Sequence, residues 1–159
     1  MKRKPLGYKR LVNYCRDNHN FKLIEGLEAD DTIGIEATRH PDPSNIIVSP
    51  DKDMRQIPCV LWNMTDDVVE ITEEEGDRWH LIQALSGDPT DGYSGCPGIG
   101  VKRATELLNK NENQWEAVCK AYRDRGLSDD DALLNARLAK ILRNENYDHD
   151  RNQPILWNP

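Results

Sequence analysis

The chain has 159 residues, of which 31% are charged and 37% are hydrophobic, and its formal net charge is −7 at pH 7. This length corresponds to one domain or to part of a larger one. No apolar run approaches membrane length, and the basic start lacks the apolar segment of a signal peptide, so we predict no membrane association. The four cysteines lie far apart without a C-x-x-C pair, which argues against a zinc cluster or a disulfide framework and favours a reducing, cytoplasmic environment.

The first half of the chain alternates between predicted helices and short strands. Residues 1–7 are basic and irregular, and the apolar spacing that follows predicts a helix over 8–18. A short strand is expected at 21–24. The next helix is expected at about 28–39, where it would bury Ala29, Ile33 and Ala37. The Pro-rich segment 40–44 then ends that helix.

After this point the pattern shifts from strands to helices. The apolar run 45–49 is typical of a parallel strand buried on both faces, and further strands are expected at 59–62 and 68–71. Thr72-x-x-Glu75 matches a capping box and predicts a helix that ends at Ser86-Gly87. Three more helices are expected, over 102–108, 115–125 and 132–143.

This order predicts an α/β fold with a small, mostly parallel sheet and flanking helices, followed by a C-terminal helical subdomain. We expect the α/β part to comprise residues 1–75 and the helical subdomain residues 76–159.

Seven acidic residues stand out in three groups, each at the end of a predicted helix or strand: Glu28, Asp30 and Asp31; Asp51 and Asp53; Asp88 and Asp91. Ligands of open α/β sheets gather at the carboxyl ends of strands, so we expect the groups to converge. Like charges at contact range repel by several kcal/mol at intermediate dielectric, and only cations remove that repulsion. All-oxygen ligation suits Mg²⁺ or Mn²⁺, and two such ions roughly 4 Å apart can clamp a phosphodiester.

Each group also has a purely structural interpretation. The first would stabilise a helix start through the helix dipole, the second would be ordinary loop acids, and the third would form a turn at a helix end. An EF-hand is excluded, because Gln56 stands where that loop needs Gly and Trp62 where it needs Glu. The recurrence of all three groups at element ends favours the metal site.

The stretch 97–104 predicts a tight turn that opens into a helix. Its glycines allow close approach of the backbone to a ligand, and the unpaired N–H groups of a helix start attract an anion. A dinucleotide fingerprint would need Gly at position 103, which is Arg, whereas a sharp connection without a ligand stays an alternative. We predict a cradle for duplex phosphates made by Gly98, Ile99, Gly100, Val101, Lys102 and Arg103. A second basic segment lies at the chain start, at Lys2, Arg3, Lys4, Lys9 and Arg10.

The three acidic motifs, in this order and followed by Gly98-Ile99-Gly100, resemble the structure-specific 5′ nucleases. This family includes flap endonucleases, the 5′-nuclease domain of bacterial DNA polymerase I and phage 5′→3′ exonucleases. The motif EGLEADD at residues 25–31 looks most like that of the phage enzymes, and the resemblance runs from about Tyr8 to Leu108. It implies a PIN-like, metal-dependent 5′→3′ exonuclease or flap endonuclease that hydrolyses DNA at 5′ ends or flaps. If the protein is phage-encoded, it would act in the bacterial host cytoplasm.

The resemblance also implies roles for individual residues. Four carboxylates would hold a tightly bound Mg²⁺ or Mn²⁺ ion, namely Glu28, Asp30, Asp51 and Asp53. A second ion would be served, directly or through water, by Asp31, Asp88 and Asp91. Residues of about 76–109 would form a helix–two-turn–helix element that grips duplex DNA, with a K⁺ ion at its turn carbonyls. The basic start resembles the end of a helical arch that admits a 5′ single strand.

One departure from the family pattern sets further expectations. The family's first strand with an early Asp, a second Asp before the arch, and the arch Lys and Arg have no counterpart in this sequence. We therefore expect a fragment, or a second polypeptide that supplies these groups, or a non-catalytic, structure-specific duplex DNA-binding module. The missing strand also predicts an exposed apolar sheet edge. An acidic α/β scaffold without any site is the remaining interpretation.

Overall fold

The fold, seen in a computed structural model, is described for residues 4–42, 44–65 and 68–159. Six α-helices occur in these ranges: α1 Tyr8–Asn18, α2 Ala29–Arg39, α3 Glu73–Ser86, α4 Val101–Asn109, α5 Gln114–Arg123 and α6 Asp129–Ala139. The strands are β1 Ile46–Val48, β2 Cys59–Trp62, β3 Val68–Ile71, β4 Tyr147–Asp148 and β5 Gln153–Pro154. Two short 3₁₀ helices occupy Lys52–Gln56 and Asn144–Asn146. The predicted α/β class is confirmed.

The main sheet is mixed and has the order β1-β2-β3. β1 pairs with β2 in parallel, whereas β2 pairs with β3 antiparallel. Ile47 is buried, but Ile46 and Val48 are 54% and 51% exposed. The expected burial of β1 on both faces is therefore wrong, because among the described residues only one face of this strand packs on the core. β1 is also an edge strand in this part of the chain, as expected.

Two predictions before β1 are wrong as well. Residues 21–24 are not a strand, because no described strand lies beside them to pair with their backbone. In α2, Ala29 and Ile33 are exposed and line a groove of about 670 Å³ against α1, which buries none of its own residues. The buried face of α2 is instead formed by Thr32, Gly34 and Ile35. Gly34 sets this rotation, because a Cβ there would lie 2.3 Å from the carbonyl oxygen of Leu142.

The helical predictions from α3 onward are confirmed, with small changes at the ends. The capping box of α3 is present, with Thr72 Oγ1 accepting from the Glu75 N–H at 3.2 Å and Glu75 Oε2 accepting from the Thr72 N–H at 2.9 Å. α6 ends at Ala139 rather than at Arg143. Residues 140–143 leave the helix because they run back to contact α2 and the 3₁₀ helix at 52–56, through hydrogen bonds from Leu142 to Asp31 and from Ile141 to Gln56.

Two apolar clusters form the interior of the described chain. One lies among α3, α4, α5 and α6 and includes Leu85, Leu108 and Tyr122, while the other lies under the sheet and includes Ile57 and Leu61. The expected division after residue 75 falls in the first turn of α3, and it stays a prediction. Across the three described ranges, no helix has the length and apolar character needed to cross a membrane.

Candidate metal centre and nucleic-acid interface

The three acidic groups lie at the ends of elements, as the sequence predicts. Glu28 is the N-cap residue of α2, and Asp30 and Asp31 are in its first turn. Asp51 follows β1 and caps the short 3₁₀ helix by accepting a hydrogen bond from the Asp53 N–H at 2.9 Å. The third group follows α3. The acidic groups therefore stand at or next to the ends of helices and strands.

The third group is held by a closed turn after α3. The Asp88 N–H donates to the Tyr93 carbonyl at 3.0 Å, and the Tyr93 N–H donates to the Asp88 carbonyl at 3.2 Å. Asp88 Oδ1 also accepts from the Thr90 N–H at 2.8 Å. This closed turn presents Asp88 and Asp91 on the same side.

The three groups converge in space. Asp53, Asp88 and Asp91 each offer one carboxylate oxygen, and these oxygens all lie within 4.8 Å of one another. A cleft of about 610 Å³ opens next to them, and five of the seven predicted carboxylates line it: Glu28, Asp30, Asp31, Asp53 and Asp91. Residues as far apart in sequence as Glu28 and Asp91 thus share one site. This site suits a divalent cation, because oxygen ligands are those that Mg²⁺ and Mn²⁺ prefer.

The pKa values of Glu28, Asp53 and Asp91 reflect the proximity of the three acidic groups. The charge of Asp30 raises the pKa of Glu28, with a further contribution from Asp91 in the third group. Partial burial raises the pKa of Asp53, and the charges of Asp51, Asp88 and Asp91 add to the effect. The pKa of Asp91 is raised first by burial and then by the charges of Asp88, Asp30 and Asp51. Carboxylates of all three groups therefore repel one another, which is the condition that a bound cation relieves.

Lys52 is a site residue to which the sequence reasoning assigned no role. Its Nζ donates to Asp88 Oδ2 at 2.9 Å. This bond lowers the pKa of Asp88 and raises that of Lys52, so the two groups support each other's charged forms. The signal in the sequence was the position of Lys52 between Asp51 and Asp53, where a cation is flanked by two acids.

Gln83 and Tyr93 were missed too. Gln83 is buried and its Nε2 donates to Asp53 Oδ1 at 2.7 Å. Tyr93 is buried beside the carboxylates and lines the cleft, and burial followed by the charge of Asp53 raises the pKa of its hydroxyl. For Gln83 the signal was a polar residue within the otherwise apolar run 81–85, since a buried amide requires hydrogen-bond partners.

Asp31 differs from the other carboxylates. Its Oδ1 accepts from the Leu142 N–H at 2.9 Å, so one oxygen joins α2 to the segment after α6. Burial raises the pKa of Asp31, although the bond to Leu142 opposes this shift. If Asp31 serves a second ion, as predicted, it would do so while also holding the segment after α6.

The glycine turn before α4 is open on its outer side. Gly98 has a φ of 74°, in the left-handed region, and a Cβ built at Gly98 or Gly100 would meet no atom within 4 Å. Lys102 and Arg103 are exposed in the first turn of α4, as is Val101. The side chain of Ile99 is buried in the helical core, so only its backbone is available to a ligand. Two turns separate α3 from α4. The first spans residues 88–93, and the second is closed by a hydrogen bond from the Ile99 N–H to the Cys96 carbonyl at 3.1 Å.

Two carbonyls of this turn already have cationic partners. Arg103 Nη1 donates to the Gly98 carbonyl at 2.8 Å, and Arg125 Nε donates to the Pro97 carbonyl. Guanidinium groups therefore stand at two of the turn carbonyls that the sequence resemblance assigned to a K⁺ ion. Because these two oxygens already accept hydrogen bonds from guanidinium groups, they do not fit a K⁺ site.

The basic start is only partly described. Lys4, Lys9 and Arg10 are exposed, the last two on α1. Lys2 and Arg3, which were predicted to contact DNA with them, lie outside the described residues.

An α/β fold that gathers three acidic motifs in one cleft, next to a two-turn connection between helices, agrees with the class that the motifs suggested. Comparison with known proteins confirms the resemblance, because the chain is similar to proteins named exonuclease, 5′-3′ exonuclease and flap endonuclease in phages and bacteria. It is 29% identical to an exodeoxyribonuclease of enterobacteria phage T3 and 30% identical to an exonuclease of Escherichia phage T7, over 99% of this chain in both cases. It is 36% identical to flap endonuclease Xni of Shewanella pealeana, over 67% of this chain and 48% of that protein. No family model matches the sequence.

The chain spans 64% and 65% of the lengths of the T3 and T7 proteins. The matched regions are 197 and 198 residues long, whereas this chain has 159 residues, so the matches include positions that have no counterpart in this chain. Nothing in these matches supports the expectation of a second polypeptide.

Proposed function

We propose that this protein is a metal-dependent 5′→3′ nuclease that hydrolyses phosphodiesters of duplex DNA at 5′ ends or flaps. The observation that carries the proposal is the convergence of three acidic motifs in one cleft, with oxygens of Asp53, Asp88 and Asp91 within 4.8 Å of one another. The names of the related phage exonucleases and of the flap endonuclease support the reaction class.

The donor set fits Mg²⁺ or Mn²⁺, because it consists of carboxylate oxygens. Burial and then repulsion by neighbouring acids raise the pKa values of Asp53 and Asp91, and the charge of Asp30 raises that of Glu28. Glu28, Asp30, Asp51 and Asp53 would hold one ion, and Asp31, Asp88 and Asp91 would serve a second. When bound, such ions activate the nucleophile and stabilise the charge that develops on the phosphodiester.

Residues of the chain itself would position the substrate. The open backbone at Gly98 and Gly100, with Lys102 and Arg103 beside it, would hold duplex phosphates without reading sequence. Lys52 would limit the excess of negative charge at Asp88, to which it is hydrogen-bonded. The exposed cations of the first helix, Lys9 and Arg10, would add attraction for a 5′ single strand.

Cleavage of DNA labelled at the 5′ end tests the proposal. A flap substrate and a recessed duplex are incubated with the chain in Mg²⁺, in Mn²⁺ or in EDTA. We expect metal-dependent products from the wild type and from the control Asp150→Asn, which changes an exposed acid that does not line the cleft. Asp91→Asn should reduce the rate by roughly 100-fold or more, because even groups that only support a metal ligand change activity by 10–100-fold.

The same experiment decides on the alternative function. If the wild type binds duplex DNA but yields no product with either ion, the chain acts as a structure-specific DNA-binding module. If it neither binds nor cleaves DNA, both functions are refuted.

A further inference from the structure

A buried pair of amides leads from the acidic cleft into the interior of the protein. Gln56 is 0% exposed and Gln83 is 4% exposed. Gln83 Nε2 donates to Asp53 Oδ1 at 2.7 Å, and Gln83 Oε1 accepts from Gln56 Nε2 at 2.7 Å. One carboxylate of the site is therefore bonded to a side chain that is itself fixed by a second buried side chain.

The direction of this chain of hydrogen bonds is imposed by the backbone. The Ile141 N–H can only donate, and it donates to Gln56 Oε1 at 3.0 Å. The amide nitrogen of Gln56 must then face its two acceptors, Gln83 Oε1 and the Ala139 carbonyl at 2.6 Å. Because the oxygen of Gln83 is occupied by Gln56, its nitrogen is the group left to face Asp53. A reversed amide at either position would place two donors or two acceptors against each other.

This arrangement restrains the carboxylate of Asp53. A carboxylate that is hydrogen-bonded at one oxygen keeps a single orientation, and such outer partners set the geometry and affinity of metal ligands. Asp53 is one of the three residues whose oxygens cluster within 4.8 Å. The last residue of α6 supplies the Ala139 carbonyl and the segment after it supplies the Ile141 N–H. Both therefore act on Asp53 through the two buried amides.

We propose that Gln83 is a positioning residue for the metal centre, and that Gln56 sets the orientation of Gln83. The pair fixes the Asp53 carboxylate in the orientation that binds a divalent cation, and it makes this orientation depend on the docked segment 139–141. The inference rests on the proposed function, because it takes Asp53 to be a metal ligand.

Mn²⁺ binding to the full chain, followed by electron paramagnetic resonance of the free ion, tests the inference without DNA. Gln83→Met keeps the length of the side chain but removes the donor, and Gln153→Met changes an exposed glutamine as the matched control. We expect the Kd for Mn²⁺ to rise by roughly 10–100-fold in Gln83→Met and to stay within about twofold in the control. Gln83→Asn, which is polar but too short to reach Asp53, should weaken binding similarly and serves if Gln83→Met does not fold.

A double-mutant cycle separates positioning from a general loss of structure. In the Asp53→Asn background, Gln83→Met should change the Kd by less than about twofold, because Gln83 acts through Asp53. An undiminished effect in that background would overturn the inference. Equal Mn²⁺ binding by the wild type and by Gln83→Met would also overturn it while leaving the proposed function in place. A wild type that does not bind Mn²⁺ would instead refute the proposed function.

Discussion

At the scale of single residues, the ionised carboxylate of Asp53 serves the proposed metal site but destabilises the folded protein. Partial burial and the charges of neighbouring acids raise its pKa, so ionised Asp53 costs free energy in the folded protein without a cation. Its hydrogen bond with Gln83 nevertheless holds it in place. Active sites commonly sacrifice stability in this way, and removal of the charge should return part of it.

We therefore expect Asp53→Asn to raise the melting temperature in EDTA at pH 7. The folded pKa of Asp53 lies above its ordinary value of 3.8, so the folded state binds this proton more tightly than the unfolded state does. The wild type consequently loses stability as the pH rises from 3.8 through the folded pKa of Asp53. Asp53→Asn should therefore be more stable than the wild type at pH 7 but not below pH 3.8. A gain of about 1 kcal/mol would correspond to roughly 2–4 °C.

Calorimetry at pH 7 and below pH 3.8 measures this difference. Asp150→Asn, at an exposed position, serves as the control and should leave the melting temperature unchanged at both pH values. A lower melting temperature of Asp53→Asn at neutral pH would contradict the expected repulsion in the cleft.

The acids of the site could be predicted from the sequence, but their supporting residues could not. Each acidic group stands at or next to a recognisable helix or strand end, which is local information. Lys52 and Asp88 are 36 positions apart, and Gln56 and Gln83 are 27 apart, so only the fold brings these partners together. A buried Gln in the apolar run of α3 indicates that some partner exists without indicating which one.

At the scale of elements, the start of α4 combines an open backbone with positive charge. Gly100 is its N-cap residue and makes no side-chain capping bond, so the first N–H groups of the helix face outward without a side-chain partner at the cap. Lys102 and Arg103 follow in the first turn. This geometry suits a phosphate group that approaches the backbone directly.

Gly100→Ala should weaken duplex binding without affecting the fold. The φ of Gly100 is −96°, which Ala adopts readily, and the added Cβ would meet no protein atom within 4 Å. The methyl group would instead stand where a phosphate approaches, so we expect a loss of affinity of roughly tenfold, or about 1.4 kcal/mol. Fluorescence anisotropy with a labelled duplex measures this change.

Asn109→Ala, at the exposed C-terminal end of the same helix, is the control for Gly100→Ala. Both variants should keep the wild-type melting temperature. Unchanged duplex affinity of Gly100→Ala at low salt would exclude direct phosphate contact at this turn.

Element positions were predicted well where the signal is local, as for the capping box at Thr72 that begins α3. Burial was predicted less well. The exposed face of β1 depends on what covers the sheet, and the rotation of α2 depends on the contact between Gly34 and Leu142, more than a hundred residues away. Neither fact is contained in the periodicity of the segment itself.

At the scale of the whole molecule, residues 140–143 join the helices to the α/β part. Ile141 packs with the cluster under the sheet, and the Leu142 N–H binds Asp31 on α2. Arg143 is 2% exposed; it donates to the Gln56 carbonyl at 2.6 Å and pairs with Asp77 at 2.9 Å. The acidic site therefore lies between parts of the chain that this segment holds together.

Arg143→Met should destabilise the whole molecule. The buried carbonyl of Gln56 would lose its side-chain donor, at a cost of about 1–3 kcal/mol, whereas Asp77 is 56% exposed and can be solvated by water. Each kcal/mol lowers the melting temperature by roughly 2–4 °C in a chain of this size. Urea unfolding monitored by circular dichroism gives the change in free energy. Arg151→Met, at a side chain that is 76% exposed, should unfold like the wild type, and an equally stable Arg143→Met would refute the joining role of this segment.

We propose that the three acidic groups form one divalent-cation centre. Its carboxylates come from Glu28, Asp30 and Asp31, from Asp51 and Asp53, and from Asp88 and Asp91. The most direct measurement is anomalous diffraction at the manganese edge from crystals of the full chain soaked in Mn²⁺. We predict an anomalous peak among the carboxylate oxygens of Asp53, Asp88 and Asp91, which would be absent from crystals of Asp53→Asn. A well-ordered cleft with no peak, or a peak only at another acidic surface, would show that these carboxylates do not form a divalent-cation centre.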